Sequence, residues 1–150
     1  MEMLVEKNKI AAKIQADDWQ DAIRKAGQLL VNNGDIEEGY IDHMIDSVRT
    51  LGPYMVIAKG FALAHAAPCE EVKNTSISLI NLKDPVNFGS GNDPVRVVMC
   101  LACKDREAHI EKLQKIATKL METDMIDLLA KCETDTDLYD LINKGKEDQR

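Results

Sequence analysis

The sequence predicts an α/β fold, in which a mixed β-sheet is flanked by helices on both faces. Three observations support this prediction: apolar residues at helical spacing in the first third, short apolar runs between turn residues in the middle, and helical spacing again in the last third. Helices that flank a sheet bury its two faces. The 150 residues suit one domain with one core. We expect that core at about residues 9–143, between frayed polar termini.

The first third of the chain predicts one short strand and two helices. Residues 9–14 form the strand, and either Asp17 or Asp18 is expected to cap the first helix. That helix has an apolar stripe formed by Trp19, Ala22, Ile23, Ala26, Leu29 and Leu30. The run NNG ends it. The second helix has a stripe formed by Ile41, Met44, Ile45, Val48 and Leu51. Gly52 and Pro53 stop this second helix.

The middle of the chain predicts four strands, YMVIA, FALA, SISLINL and VRVVMCLAC, separated by turn residues. The residues Asn92-Asp93-Pro94 are interpreted mainly as a turn, and the possibility that this turn borders a functional site stays open.

The last third predicts three helices. The first has a stripe formed by Ile110, Leu113, Ile116, Ala117 and Leu120. A short helix follows at residues 125–130. Thr134 or Asp135 caps a terminal helix that contains Leu138, Leu141 and Ile142.

The net charge of −7 restricts the possible partners. Phosphate backbones and acidic lipids attract basic surfaces, so the charge argues against nucleic acid and membrane surfaces and favours a partner with a basic docking face. No apolar run approaches the roughly 18 residues that a membrane span requires. The N-terminus MEMLVEKNKI has acidic residues where a secretory signal has a basic start. We therefore expect a cytoplasmic protein without membrane insertion.

The four cysteines are expected to be reduced thiols in the cytoplasm: Cys69, Cys100, Cys103 and Cys132. CLAC invites a redox or zinc interpretation. Successive side chains of a strand alternate between faces, however, so residues at i and i+3 point to opposite sides and cannot bind one ion. A zinc site would also need a second pair of ligands. We interpret these cysteines as small buried hydrophobes and expect neither a metal nor a cofactor.

The three histidines have different settings. His43 is on the polar side of the second helix and is expected to be exposed. His109 is one turn into a helix that follows a strand, where α/β proteins place ligand groups, although the sequence by itself slightly favours a surface role. His65 follows a buried strand in GFALAHAAPCE and is either structural or reactive. No GxSxG elbow or phosphate-binding loop is present. For a functional His65, what remains is the imidazole itself as a nucleophile that accepts and passes on a phosphoryl group.

Three blocks of the sequence together resemble a known family. They are DWQDAIRKAGQLLVNNGDIEEGYIDHMI, GPYMVIAKGFALAHAAP and FGSGNDPVRVVMCLACKDREAHIEKL. In this order and spacing they are similar to the enzyme IIA domains of the bacterial sugar phosphotransferase system, of the mannitol–fructose class. The form GPYMVIAKGFALAH looks most like the ascorbate branch. The resemblance extends over about residues 9–142, and the fold of the family, a mixed sheet flanked by helices, agrees with the pattern above.

The resemblance implies a phosphotransferase with a phosphohistidine intermediate. The carrier HPr, phosphorylated on histidine, would pass its phosphoryl group to His65, at Nε2 as in the family, and His65 would pass it to a cysteine of a IIB protein. The IIC permease then couples transfer to sugar uptake. The position of the second histidine of the family matches His109, which would stabilise the phosphoryl group. Arg49 matches an arginine of mannitol-type members and is either an assisting cation or an exposed helix residue.

The sequence departs from the family at three positions. The family usually has PHARP or PHGRP, whereas this chain has Ala64 in place of the proline and Ala67 in place of the arginine. Lys59 also replaces a common proline. The loss of the arginine removes a cation near the phosphoryl group, which Lys59, Lys73 or Arg49 could replace.

The sequence leaves the physiological role, the sugar and the oligomeric state open. The domain could be a regulatory binding module that senses the phosphorylation state of the system. Ascorbate is the sugar that the overall pattern favours, and a pentitol, galactitol or another substrate stays open. The protein could be a monomer or a homodimer.

Overall fold

The computed structural model describes residues 3–145. The elements in chain order are β1 (Ile10–Ile14), α1 (Trp19–Asn32), α2 (Glu38–Leu51), β2 (Phe61–Ala64), β3 (Ser76–Val86), β4 (Val95–Ala102), α3 (Arg106–Leu120), α4 (Met125–Lys131) and α5 (Asp135–Lys144). A 3₁₀ turn, Lys7–Lys9, precedes β1. Within the described residues, no helix combines the length and the apolar character that crossing a membrane requires.

The four strands form one mixed sheet in the order β1-β3-β4-β2. β1 is parallel to β3, β3 is antiparallel to β4, and β2 is parallel to β4. In the last pair Phe61 lies opposite Val97 and Ala64 lies opposite Cys100. The sequence prediction of a mixed sheet is confirmed. The parallel pairing also brings the carboxyl ends of β2 and β4 to the same edge of the sheet.

Helices cover both faces of the sheet, as the sequence predicts. On one face α1 and α2 pack against alternate strand residues, and the sheet contributes Ala62, Ala64, Ile80, Leu82, Val98, Cys100 and Ala102 to this cluster. On the other face α3, α4 and α5 pack against the residues in between, and the sheet contributes Phe61, Leu63, Ile77, Leu79, Val97, Met99 and Leu101. Strand residues buried on both faces explain why the strand sequences are nearly continuous apolar runs.

The two cysteines of CLAC lie on opposite faces of the sheet. Cys100 belongs to the cluster beneath α1 and α2, and Cys103 belongs to the cluster beneath α3, α4 and α5. Both are free thiols. Burial raises the pKa of Cys100 to about 12 and that of Cys103 to about 11, so both stay protonated and unreactive at neutral pH. The interpretation of these residues as buried hydrophobes is confirmed.

Side-chain caps start three of the helices. The Asp18 carboxylate accepts a hydrogen bond from the backbone N–H of Asp21, which decides between the two predicted caps of α1. Asp105 accepts from Ala108 N at the start of α3, and the Thr134 hydroxyl accepts from Asp137 N at the start of α5. Each cap satisfies an N–H group of the first helical turn that has no partner within the helix.

The predicted strand YMVIA is wrong. Residues 54–58 form a turn and an irregular segment, with one isolated bridge between Ala58 and Phe61. The backbone N–H of Val56 bonds to Pro53 O, which curls the chain directly after α2. Met55 and Val56 are buried all the same, and Met55 O accepts from Leu63 N, so the segment covers the free edge of β2. The apolar composition of this segment correctly indicated that it is buried, but it did not indicate the backbone conformation.

The prediction of a frayed N-terminus across residues 1–8 is also wrong for its described part. Val5 is 1% exposed. The Asn143 side chain accepts hydrogen bonds from the backbone N–H groups of Leu4 and Val5 and donates one to Val5 O. These side-chain hydrogen bonds take the place of the strand or helix hydrogen bonds that the segment lacks. The ordered chain therefore begins before residue 9. Residues 1–2 and 146–150 of the predicted frayed ends lie outside the described residues.

Candidate functional site

Two histidines meet at the carboxyl edge of the β2–β4 pair. His65 is the residue directly after β2. His109 lies in the first turn of α3, which begins four residues after β4 ends. Because the two strands are parallel and in register, their following residues share one edge of the sheet. The imidazole centroids are 5.6 Å apart, with the rings tilted by 51°. The structure therefore brings together the two histidines that the sequence singled out.

A hydrogen bond fixes the tautomer of His65. Its Nδ1 lies 2.7 Å from the backbone carbonyl oxygen of Leu63. A carbonyl oxygen only accepts, so Nδ1 must be the nitrogen that carries hydrogen. In the neutral ring Nε2 then keeps its lone pair. Among the described residues Nε2 has no hydrogen-bond partner. The backbone of β2 thus leaves one nitrogen of this imidazole available as a nucleophile.

The environment of His65 keeps the ring neutral. Burial lowers its pKa below the ordinary histidine value of 6.5, because the charged form loses water. The bond to Leu63 O works in the opposite direction, and the nearby His109 lowers the pKa further. The Tyr54 ring packs edge-on against the imidazole, with centroids 5.2 Å apart, and its hydroxyl donates to His65 O at 2.9 Å. Ring and backbone of His65 are therefore both held.

Tyr40 holds the chain directly after His65. Its side chain is fully buried under the site. The hydroxyl donates to Ala66 O and accepts from Ala66 N, both at 3.0 Å. Burial raises the pKa of Tyr40, so the hydroxyl keeps its proton. The sequence analysis missed this residue. The available signal was a tyrosine beside the apolar stripe of α2, since a buried tyrosine hydroxyl needs a polar partner.

The cations proposed to replace the family arginine lie in different places. Arg49 is 3.4 Å from the Asp46 carboxylate of its own helix, and no hydrogen bond or ion pair joins it to either histidine in the described part of the chain. Lys73 pairs with Glu37 at 3.2 Å. Lys59 precedes β2, whose four residues span roughly 13 Å before His65. The assisting role of Arg49 stays a prediction.

The opposite end of the β2–β4 pair is a closed turn. The Asp93 carboxylate accepts hydrogen bonds from the backbone N–H groups of Phe88, Gly89 and Ser90. Gly60 N bonds to Asn92 O. These bonds confirm the interpretation of Asn92-Asp93-Pro94 as turn chemistry. The turn lies beside the amino end of β2, at the edge of the sheet away from the histidine pair.

His43 is exposed on α2, as the sequence predicts, with a side chain that is 56% accessible. Its Nε2 lies 2.7 Å from a carboxylate oxygen of Glu71. Unlike His65, this histidine has its Nε2 engaged by an acidic partner. The structure therefore separates the histidines into a pair at the sheet edge and one on a helix that is hydrogen-bonded to a carboxylate.

Comparisons with known proteins place this geometry in context. Residues 3–145 match the family model of the phosphoenolpyruvate-dependent sugar phosphotransferase system, EIIA 2. The ascorbate-specific PTS system EIIA component of Escherichia coli strain K12 is 35% identical over 143 residues, which cover 94% of this chain and 93% of the relative.

Solved structures share the fold. The mannitol-specific cryptic phosphotransferase enzyme IIA CmtB of Escherichia coli has a TM-score of 0.83 at 30% identity, and the match covers 93% of this chain and 95% of that one. The mannitol enzyme IIA of Escherichia coli, solved in complex with phosphorylated enzyme IIB, has a TM-score of 0.81. It is 23% identical, and the match covers 95% of this chain and 98% of that one.

Proposed function

This chain belongs to the EIIA 2 family of the phosphoenolpyruvate-dependent sugar phosphotransferase system, and we propose that it carries phosphoryl groups on Nε2 of His65. Phosphorylated HPr is the donor, and a cysteine of the cognate IIB protein is the acceptor. One observation carries the proposal. The hydrogen bond from His65 Nδ1 to Leu63 O leaves Nε2 unprotonated, beside a second histidine at a sheet edge.

Each transfer exchanges one bond to phosphorus for another. The Nε2 lone pair of His65 attacks the phosphorus, the new N–P bond forms, and the bond to the histidine of HPr breaks. The Nδ1 proton stays in place, and its bond to Leu63 O stabilises the positive charge that the ring acquires. In the second step a cysteine thiolate of the IIB protein attacks, and the ring returns to its neutral form. Positioning and charge stabilisation suffice for this chemistry.

His109 acts as the stabilising group in this proposal. Its ring centroid is 5.6 Å from that of His65, so a phosphoryl group on Nε2 comes within reach of a His109 ring N–H. That donor stabilises the oxygens on which charge develops. Arg49 assists if its guanidinium leaves Asp46 when a partner docks, a movement that its exposure permits.

The surface around the pair suits a protein partner. Exposed apolar side chains lie next to it: Tyr54 packs on His65, and Ile110, 56% exposed, follows His109. Leu51 at the end of α2 is 71% exposed. Exposed apolar residues near a reactive group are typical of a docking surface. The mannitol enzyme IIA forms a complex with its phosphorylated IIB, and we place the IIB protein, and HPr before it, on this surface.

We propose ascorbate as the sugar that the system transports, because the ascorbate-specific EIIA component is a relative at 35% identity. The reaction takes place in the cytoplasm, and the IIC permease takes part only through IIB. The IIA domain itself needs no contact with the sugar.

Phosphotransfer in vitro tests the proposal. The protein is incubated with labelled phosphoenolpyruvate, enzyme I and HPr. We expect an acid-labile, alkali-stable label on the wild-type protein, no label on His65→Ala, and a normal label on Lys59→Ala, which changes a cation at the opposite end of β2. A cognate IIB protein should then remove the label. Another IIA domain, incubated with the same HPr, is the control for active carriers. If that domain is labelled and the wild-type protein is not, the carrier role is rejected.

A regulatory module is the second candidate, and Ala67 is the observation that favours it. The family usually has an arginine there, and its absence removes a cation beside the phosphoryl group. A regulatory domain would accept the label slowly and would not transfer it to IIB. The rate of the second transfer therefore separates the two candidates.

A further inference from the structure

A second cluster of side chains joins α2 to residues 66–71, the loop that follows His65. His43 of α2 and Cys69 and Glu71 of the loop each offer one ligand atom, and these three atoms lie within 4.8 Å of one another. The phosphorelay uses none of them. From these residues we propose a zinc-binding site, with the His43 imidazole, the Cys69 thiolate and the Glu71 carboxylate as ligands.

The donor set fits zinc. Zn²⁺ binds nitrogen, sulfur and carboxylate oxygen, and sites that use three protein ligands keep a fourth position open. Tetrahedral coordination places such donor atoms about 3.4 to 3.6 Å apart. Side-chain rotations that move the donor atoms by about 1 Å would therefore give this geometry. His43 is exposed and the other two residues are half-buried, and His43 can make that adjustment at the surface.

The position of Glu71 is built into the fold. A methyl group at Gly39 of α2 would collide with the Glu71 carboxylate. The carboxylate therefore occupies space that is open because residue 39 is a glycine. His43 is one turn further along α2 and therefore lies beside that space. The loop itself is held by backbone bonds from Glu37 N to Glu71 O and from Val72 N to Cys69 O. Two ligands are thus positioned by the loop and the third by the helix.

Metal binding replaces protons at this site. As the ion binds, the thiol hydrogen of Cys69 passes to solvent. The ring hydrogen that His43 Nε2 shares with Glu71, 2.7 Å away, is replaced by one on Nδ1, so the imidazole stays neutral and its Nε2 lone pair binds the ion. A surface groove of about 470 Å³ extends from here, and its lining includes His43, Ser47, Ala67 and Cys69. The groove leaves room for water in the fourth coordination position.

Cobalt titration of the reduced, chelator-treated protein tests the site, because a Co²⁺–thiolate bond gives a charge-transfer absorption band. We expect one equivalent of Co²⁺ to produce the band in the wild-type protein and in Cys132→Ser, and Zn²⁺ to displace it. Cys132 is a matched control, half-buried and free like Cys69. The band should be absent in Cys69→Ser. His43→Ala and Glu71→Gln should each weaken metal binding by about tenfold or more.

Gly39→Ala tests the same site without removal of a ligand, since the added methyl group displaces the Glu71 carboxylate. We expect it to weaken metal binding while circular dichroism reports an intact fold. A band that persists in Cys69→Ser, or no band in the wild-type protein, overturns the proposal. So does zinc binding that is lost in His65→Ala and unchanged in Cys69→Ser, because the ion would then be held by the histidine pair. Binding requires no phosphorelay component, so failure of the phosphocarrier proposal would leave this test intact.

Discussion

The two ends of the β2–β4 strand pair use similar polar residues for different purposes. At the amino end the Asp93 carboxylate satisfies three backbone N–H groups, and Gly60 bonds to Asn92, so the polar groups there complete the fold. At the carboxyl end His65 is also tied to the backbone, yet one of its nitrogens stays available beside His109. At the amino end the internal hydrogen bonds occupy the polar groups. At the carboxyl end the hydrogen bond orients the His65 ring and leaves Nε2 without a partner among the described residues.

Substitution of His109 is expected to have the largest effect on the proposed chemistry among the changes that keep His65. Removal of one donor to a developing oxyanion slows reactions by about 100-fold. We expect His109→Ala to accept the phosphoryl group from HPr about 100-fold more slowly, with a stability close to that of the wild-type protein because the side chain is only half-buried. Rapid-quench labelling measures the rate. A rate that equals that of the wild-type protein would remove His109 from the site.

Tyr40→Phe should affect both the fold and the site. The change leaves the partly buried Ala66 N without its partner, at a cost of about 1 kcal/mol in the free energy of unfolding. Because Ala66 follows His65, we also expect slower phosphoryl acceptance per folded molecule. Tyr139→Phe is the control, since its hydroxyl contacts the sulfur of Met3, a weak acceptor, at 3.8 Å. Urea denaturation measures the first effect, and equal losses in both variants would contradict it.

Asp93→Ala should affect only the fold. Three backbone N–H groups lose a partly exposed acceptor, and we expect a loss of about 1 kcal/mol in the free energy of unfolding. The rate of phosphoryl acceptance, normalised to folded protein, should not change. Asp84→Ala, at an exposed position of β3, is the control for the loss of one charge. A slower rate in Asp93→Ala alone would contradict the separation of the two ends.

The pH dependence of His65 should show the smallest effect. Burial lowers its pKa below 6.5, so the ring stays neutral and nucleophilic as the pH falls through 6.5. The unfolded chain binds a proton in this range before the folded one does, so stability decreases as the pH falls from 6.5 towards the lowered value. In His109→Ala the pKa should rise slightly, since His109 contributes to the shift. Ring NMR titration measures both values, and a His65 pKa above 6.5 in the wild-type protein would contradict the account.

Much of the fold could be predicted from the sequence. Alternation along β4 correctly placed Cys100 and Cys103 on opposite faces, because side-chain direction in a strand is local. The caps Asp18 and Thr134 were recognisable for the same reason. The segment YMVIA was misread, since burial in an irregular segment leaves the same apolar composition as burial in a strand.

The residues of the candidate site could be predicted from the sequence, and their geometry could not. The resemblance identified His65 and His109, but only the parallel pairing of β2 with β4 brings the two ring centroids to 5.6 Å. The bond from His65 to Leu63 O depends on a side-chain rotation that no pattern encodes. Tyr40 and the cluster of His43, Cys69 and Glu71 depend on contacts between residues far apart in the chain.

The central claim is that the backbone selects Nε2 of His65 as the nucleophile. NMR of the phosphorylated protein with ¹⁵N-labelled histidine tests it most directly, because coupling to phosphorus identifies the modified nitrogen. The account predicts a single phosphohistidine, at Nε2 of His65, with the Nδ1 proton retained. A phosphoryl group on Nδ1 of His65, or on His109, would contradict it.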